Sequence, residues 1–373
     1  MEEVKLAAAH HLCRGSGHSP EAVYEKVLSV VSEARGCYDA DDPSVRDAGS
    51  DADFTAMMFL DGCFLLQYMV AAADDDDHNK APSVLRNRMT LSTGPTILKD
   101  IFLLENQVPW IVLKTLTEFV TAVDVWQFVD DMGKNFFPGK ADSDEASEDD
   151  DKHTPPHLLG LLRFSQVSSM PLGFAYTTTK ICRAAGGTMQ PLYIRAVELP
   201  RIAIALTPSW FGDIVVRRGR LSGELSLSPV FLNDVTACWL VNMAVLEASV
   251  ASSDSDSDSD SDGFVVTSYL SMLTMLMDKE EDVDVLWGRG VLLTSFSNAQ
   301  AMDFFKGLGQ NLRFGVLYLA ALEAIGAYRR EMSGWITTYR FIYINYGIIV
   351  ALLSVAGVLG GIFQTLISLK HSS

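Results

Sequence analysis

Residues 347–369 read G-I-I-V-A-L-L-S-V-A-G-V-L-G-G-I-F-Q-T-L-I-S-L, a run without a charged side chain. A helix needs about 20 mostly apolar residues to cross the hydrocarbon core of a bilayer, and this run is long enough. Arg340 and the aromatic residues Tyr339, Phe341, Tyr343 and Tyr346 precede it, and Lys370 and His371 follow it. Aromatic rings beside basic residues suit the headgroup layer. A buried core helix is the competing reading, but it would have to lack any polar face. The run therefore predicts a single-pass protein anchored in the lipid bilayer at its C-terminus. On this reading residues 1–338 form the main domain, 347–369 the transmembrane helix and 370–373 a short tail.

Orientation follows from the flanking charges. Arg329, Arg330 and Arg340 precede the span, against Lys370 after it. Basic residues favour the cytosolic side, so the large domain is predicted to be cytosolic. The opening Met1-Glu2-Glu3 has no apolar stretch behind it, which predicts no secretory signal. Gly357 and Gly361 form a G-x-x-x-G within the run. This spacing permits close helix approach and offers a homodimer face, although glycine is common in spans in any case.

The chain of 373 residues is 48% hydrophobic, as expected of a folded protein. Its net charge of −18 is concentrated in three acidic loops, at 74–77, 142–151 and 254–262. Without the 16 acids of those loops, 31 acidic residues face 29 basic ones. Neither part supplies the basic field that nucleic acid requires, so no nucleic-acid partner is expected. The cysteines at 13, 37, 63, 182 and 238 show no C-x-x-C pair, which argues against a disulfide framework or a closed zinc site.

Most of the domain is patterned as helix. Ser19-Pro20 is a cap followed by proline at the first helical position, and Val23, Val27, Val30, Val31 and Ala34 recur at helical spacing up to Gly36. The apolar stretch 54–73 also has membrane length. It carries Asp61 and Gln67, and a charge within the bilayer costs several kcal/mol, so a buried helix is expected instead. Residues 96–123 predict a helix, a corner at Glu105-Asn106-Gln107, and a second helix beginning at Pro109. Short β-rich segments at 202–206, 213–216 and 221–231 predict a small antiparallel sheet of two or three strands. Residues 282–290 read as a short segment leading to a turn, and helices resume at 297–308 and 311–332. The expected fold class is mainly α with a small antiparallel β-sheet (α+β) and one C-terminal transmembrane helix.

No catalytic, cofactor or metal motif is found in the sequence. Asp258-Ser-Asp260-Ser-Asp262-Gly263 matches the first half of a calcium-binding EF-hand loop, but the twelfth position is Tyr269 where a bidentate Glu is required. Any Ser-Asp repeat ending in Gly produces this match. Ser147, Ser253, Ser255, Ser257 and Ser259 each precede an Asp by three residues and fit acid-directed kinases. A passive solvating loop is the alternative. Asp61 and Glu105 sit in apolar contexts and are the carboxylates an acid–base enzyme would use, although nothing in the sequence brings them together. Cys63 in L-D-G-C-F-L-L reads as a core thiol, and His153 and His157 flank T-P-P, which breaks helical ligand spacing.

The ordered set M-M-F-L-D-G-C-F-L-L (57–66), D-I-F-L-L-E-N-Q-V-P (100–109), H-L-L-G-L-L-R (157–163), A-V-E-L (196–199), L-S-L-S-P-V-F-L (225–232) and E-D-V-D-V-L-W-G-R-G-V (281–291) resembles plant domain-of-unknown-function family two-four-seven. V-T-S-Y-L-S-M-L (266–273) and the apolar tail fit the same order. The resemblance implies that Asp61, Gly62, Cys63, Glu105, Asn106, Gln107 and Pro109 are fold determinants. Members of the family usually carry a further opening segment before a Met-Glu-x-x-Lys helix, and this sequence begins at that helix. The family has no established enzymatic activity. Some grass members are similar to proposed self-incompatibility determinants, which implies membrane-tethered protein recognition or signalling with an unknown protein partner. The rival expectations are an enzyme with a cleft carboxylate and a calcium-responsive membrane protein.

Overall fold

The computed structural model describes residues 2–39, 49–73, 94–120, 123–134, 154–167, 193–209, 214–253 and 264–371. The three acidic loops, Cys182, His153 and the EF-hand-like tract lie outside the described residues, as do Ser147, Ser255, Ser257 and Ser259. Ser253 ends a helix, and its side chain is not described.

The N-terminal layer begins with α1 (Glu2–Ser16), which ends where Gly17 takes a φ of 72°. Ser19 then caps α2 (Pro20–Ser29) by accepting from the Ala22 N–H at 3.3 Å. The predicted helix to Gly36 is split at Val30, after which α3 (Val31–Arg35) starts afresh. Helix α4 (Asp51–Ala73) is the central element of this half. It packs on α1, α2 and α6 (Trp110–Thr117), and 61% of its apolar window is buried. The embedded Asp61 and Gln67 thus belong to a core helix, as their cost in lipid requires.

Helix α5 (Gly94–Ile101), a 3₁₀ turn at Leu104–Asn106 and α6 make the expected corner. Helices α7 (Val125–Gly133) and α8 (Leu158–Val167) pack against each other. A second 3₁₀ segment, Ala196–Ile202, leads into the sheet.

The antiparallel expectation needs correction. Strands β1 (Ile204–Pro208), β2 (Val215–Arg218) and β3 (Gly223–Leu227) form a mixed sheet of order β1-β3-β2. β2 and β3 are an antiparallel hairpin, whereas β1 runs parallel to β3 with Ile204 opposite Gly223. β4 (Val230–Leu232) pairs in parallel with β5 (Leu292–Thr294). Side-chain alternation reports which face is buried but not the direction of the neighbouring strand, and a parallel pair needs a long crossover. Here that crossover holds α9 (Asp234–Ser253), α10 (Val265–Leu276) and α11 (Glu280–Gly288). Residues 282–290, expected as a short segment leading to a turn, thus fall mostly in helix α11, with the turn at Arg289–Gly290 before β5.

Helix α12 (Asn298–Gly309) opens with a reciprocal cap between Ser297 and Gln300. Helix α13 (Val316–Glu331) is followed by α14 (Ser333–His371). One continuous apolar core runs from α1 to α13, and its largest fully buried side chains include Trp239, Tyr269, Phe54 and Phe102. Among the described residues two helices are long and apolar enough to cross a membrane, α4 and the 333–362 part of α14.

Candidate functional site

The sequence-predicted residues do not form a catalytic cleft. Asp61 projects from α4 toward α1, where Lys5 Nζ lies 2.5 Å from its Oδ1. The contact is electrostatic, since that oxygen makes no aligned hydrogen bond. Glu105 is exposed on the corner, and among the described residues its side chain makes no hydrogen bond or ion pair. No bond links the two carboxylates. Gly62 lets α6 approach α4, because an added Cβ would fall inside van der Waals contact of Leu116 Cδ1. Cys63 is wholly buried, and burial pushes its thiol well above the usual range, away from the reactive thiolate.

The corner residues instead hold elements together. Gln107 Nε2 donates to the carbonyls of Ile101 at 2.9 Å and Leu103 at 2.6 Å. Its Oε1 accepts from the Leu159 N–H of α8 at 2.9 Å, and its own carbonyl accepts from Tyr38 Oη at 2.8 Å. One side chain thus satisfies the last carbonyl of α5 and a first-turn N–H of α8, groups that a helix cannot satisfy internally, and gives the Leu103 carbonyl a second donor beside the Asn106 N–H. Asn106 Nδ2 donates to the Asp100 carbonyl at 3.1 Å. Pro109 bridges to His157, and the Trp110 N–H reaches the Pro156 carbonyl at 2.8 Å. Asn242 and Trp239 of α9 close the far side, through Leu104 N–H at 2.8 Å and the Leu98 carbonyl at 2.9 Å.

His157 caps a helix. Its Nδ1 accepts from the Gly160 N–H at 3.1 Å, and burial lowers its pKa to about 4, so the ring is neutral. Among the described residues no group of three or more His, Cys, Asp or Glu is placed to hold a metal ion.

Two buried carboxylates escaped the sequence reading. Glu247 of α9 accepts from the N–H groups of Val266 and Thr267 at 3.0 and 2.9 Å, and from Thr267 Oγ1 at 2.8 Å. Arg163 Nε donates to it at 3.0 Å. Burial pushes this carboxyl up, opposed by Arg163 and by the three α10 donors. Asp282 of α11 accepts from Arg195 Nε at 2.9 Å, Val197 N–H at 3.2 Å, and the N–H groups of Asp278 and Lys279. Every close donor to these carboxylates is a structural group of the protein, so both serve as internal caps. A lone acid in an apolar helix was the available signal for Glu247, in A-V-L-E-A-S-V at 244–250.

At the other end of the domain α14 stands apart. Its apolar window is 0% buried, with Leu352, Leu353 and Val358 all exposed. A Cβ added at Gly357 or Gly361 meets nothing within 4 Å. Where the 3₁₀ segment Ala196–Ile202 meets the foot of α14, a pocket of about 390 Å³ is lined by Arg201, Arg329 and Arg340.

The family model DUF247, plant protein of unknown function, matches residues 1–360. A UPF0481 protein of Arabidopsis thaliana is 22% identical over 280 residues, covering 71% of this chain and 56% of that relative. The chain thus spans little more than half the length of that protein. No solved structure matches it. With the match extending from the first helix into the apolar tail, the chain belongs to the DUF247 family of plant proteins.

Proposed function

We propose that this protein is a membrane-tethered recognition or signalling protein, anchored by α14 with its helical domain on the cytosolic side. One observation carries the anchor. Helices α4 and α14 both have the length and apolarity to span a bilayer, yet the window in α4 is 61% buried by its own domain and that in α14 is 0% buried. An exposed apolar surface of this size on a protein in water is strongly unfavourable, and insertion in lipid removes it. The three arginines before the apolar run support the cytosolic orientation. Recognition of a protein partner, including self-recognition of the kind the family resemblance implies, is favoured over catalysis because the buried carboxylates are occupied by structural donors.

Alkaline carbonate extraction of membranes carrying an N-terminally tagged full chain tests the anchor. Retention in the pellet is expected, and release to the supernatant refutes it. Protease treatment of sealed microsomes tests orientation. Digestion of the tag is expected, while protection would place the domain on the opposite side. The Gly357-x-x-x-Gly361 spacing makes the span a candidate homodimer face, and loss of membrane crosslinking in Gly357→Leu would support that pairing.

A further inference from the structure

The pocket at the foot of α14 gathers three arginines. Arg201 comes from the 3₁₀ segment, Arg329 from the last turn of α13, and Arg340 from the third turn of α14. All three are exposed, and among the described residues none forms an ion pair or side-chain hydrogen bond. By contrast, Arg195 holds Asp282, and Arg218 pairs with Glu331. Ser333 and Thr337 add hydroxyls to the wall, and Glu198 is the one carboxylate lining it. Glu198 already accepts from the Arg195 N–H at 3.4 Å. Three guanidiniums against one carboxylate leave a cationic cup with forked donors suited to phosphate oxygens.

Position along α14 narrows the ligand. The helix has 39 residues, about 58 Å at 1.5 Å per residue, whereas the hydrocarbon core is about 30 Å thick. Its first turns therefore stand clear of the lipid. Arg340 lies seven residues before Gly347, about 10 Å along the axis, and the headgroup layer of one leaflet is roughly 6 Å deep. Tyr343 and Tyr346 occupy the intervening turns, where aromatic rings suit the interface. A compact headgroup would stay below the cup. A phosphorylated sugar headgroup that projects from the bilayer would reach it.

We infer that the Arg201–Arg329–Arg340 pocket binds the headgroup of a polyanionic phospholipid of the phosphorylated-inositol class, in the leaflet next to the domain. This rests on the reading of α14 as the membrane anchor. The lipid would fix the tilt of the domain on the membrane and make its placement depend on lipid composition.

The test is calorimetric titration of the full chain in neutral detergent with dioctanoyl phosphatidylinositol bisphosphate. Dioctanoyl phosphatidylserine and inorganic phosphate serve as comparison probes. Saturable binding of the inositol lipid is expected, weakened at least tenfold in Arg201→Ala/Arg329→Ala. Arg330→Ala, beside the pocket but not lining it, should bind within twofold of the unaltered chain. Should the double variant lose its thermal transition, Arg201→Gln alone replaces it, with the same direction of effect. Absence of saturable binding overturns the inference, as does equal loss in Arg330→Ala. Equal binding of phosphatidylserine removes the headgroup assignment. If inorganic phosphate binds as tightly as the lipid, the pocket takes free phosphate and the lipid assignment fails. Binding in detergent does not depend on α14 spanning a bilayer, so its failure is separable from failure of carbonate extraction.

Discussion

Lys5 of α1 and Asp61 of α4 face each other at 2.5 Å, each with 24% of its side chain exposed. The acid that stands out in an apolar helix is thus an anchoring point for the N-terminal helix. Asp61→Asn should lower stability by about 1–2 kcal/mol, between the values for exposed and fully buried pairs. Denaturant unfolding of Asp61→Asn, Lys5→Met and the double variant measures the coupling. Strict additivity would show that the two residues do not interact.

Gln107 should be the most sensitive of the corner residues. Gln107→Leu keeps the side chain's bulk but deprives the Ile101 carbonyl and the Leu159 N–H of their side-chain partner, while the Leu103 carbonyl keeps the Asn106 N–H. Unsatisfied buried groups cost about 1–3 kcal/mol each, so a loss of roughly 3 kcal/mol is expected. Exposed Glu105→Gln should change stability by less than about 0.5 kcal/mol. The same unfolding measurement compares the two, and a larger loss for Glu105→Gln would contradict this assignment.

His157 predicts an acid limb of stability. Its folded pKa of about 4 lies below the ordinary imidazole value of 6.5, so the unfolded chain binds the proton first. The contribution is complete above pH 6.5 and is lost as pH falls through 4, on the order of 3 kcal/mol in all. His157→Asn should show a smaller change in unfolding free energy between pH 7 and pH 4.5 than the unaltered chain. An unchanged slope would refute the buried neutral imidazole.

Gly62 is set by packing, not by chemistry. A methyl at this position meets Leu116 Cδ1, so Gly62→Ala should cost about 1–3 kcal/mol through overpacking. Leu116→Val should relieve part of that cost, making the double variant more stable than the sum of the single changes. Independent, additive losses would remove the close approach of α4 and α6 as the reason for glycine.

Helical character, the corner at 105–109, the cap at Ser19 and two apolar segments of membrane length are legible in the sequence. These are local properties, fixed by spacing, caps and proline within a few residues. Family membership was likewise readable, because an ordered set of short motifs survives without any knowledge of contacts. Tertiary structure alone decided which apolar helix is covered: α4 is wrapped by α1, α2 and α6, while α14 has no comparable cover. It also decided that β1 and β4 have parallel partners, that Glu247 and Asp282 are buried among donors, and that the distant Arg201 lines one pocket with Arg329 and Arg340. Strand direction, the desolvation of a carboxylate and the convergence of distant charges are set by which elements meet. No periodicity in a single segment encodes those meetings.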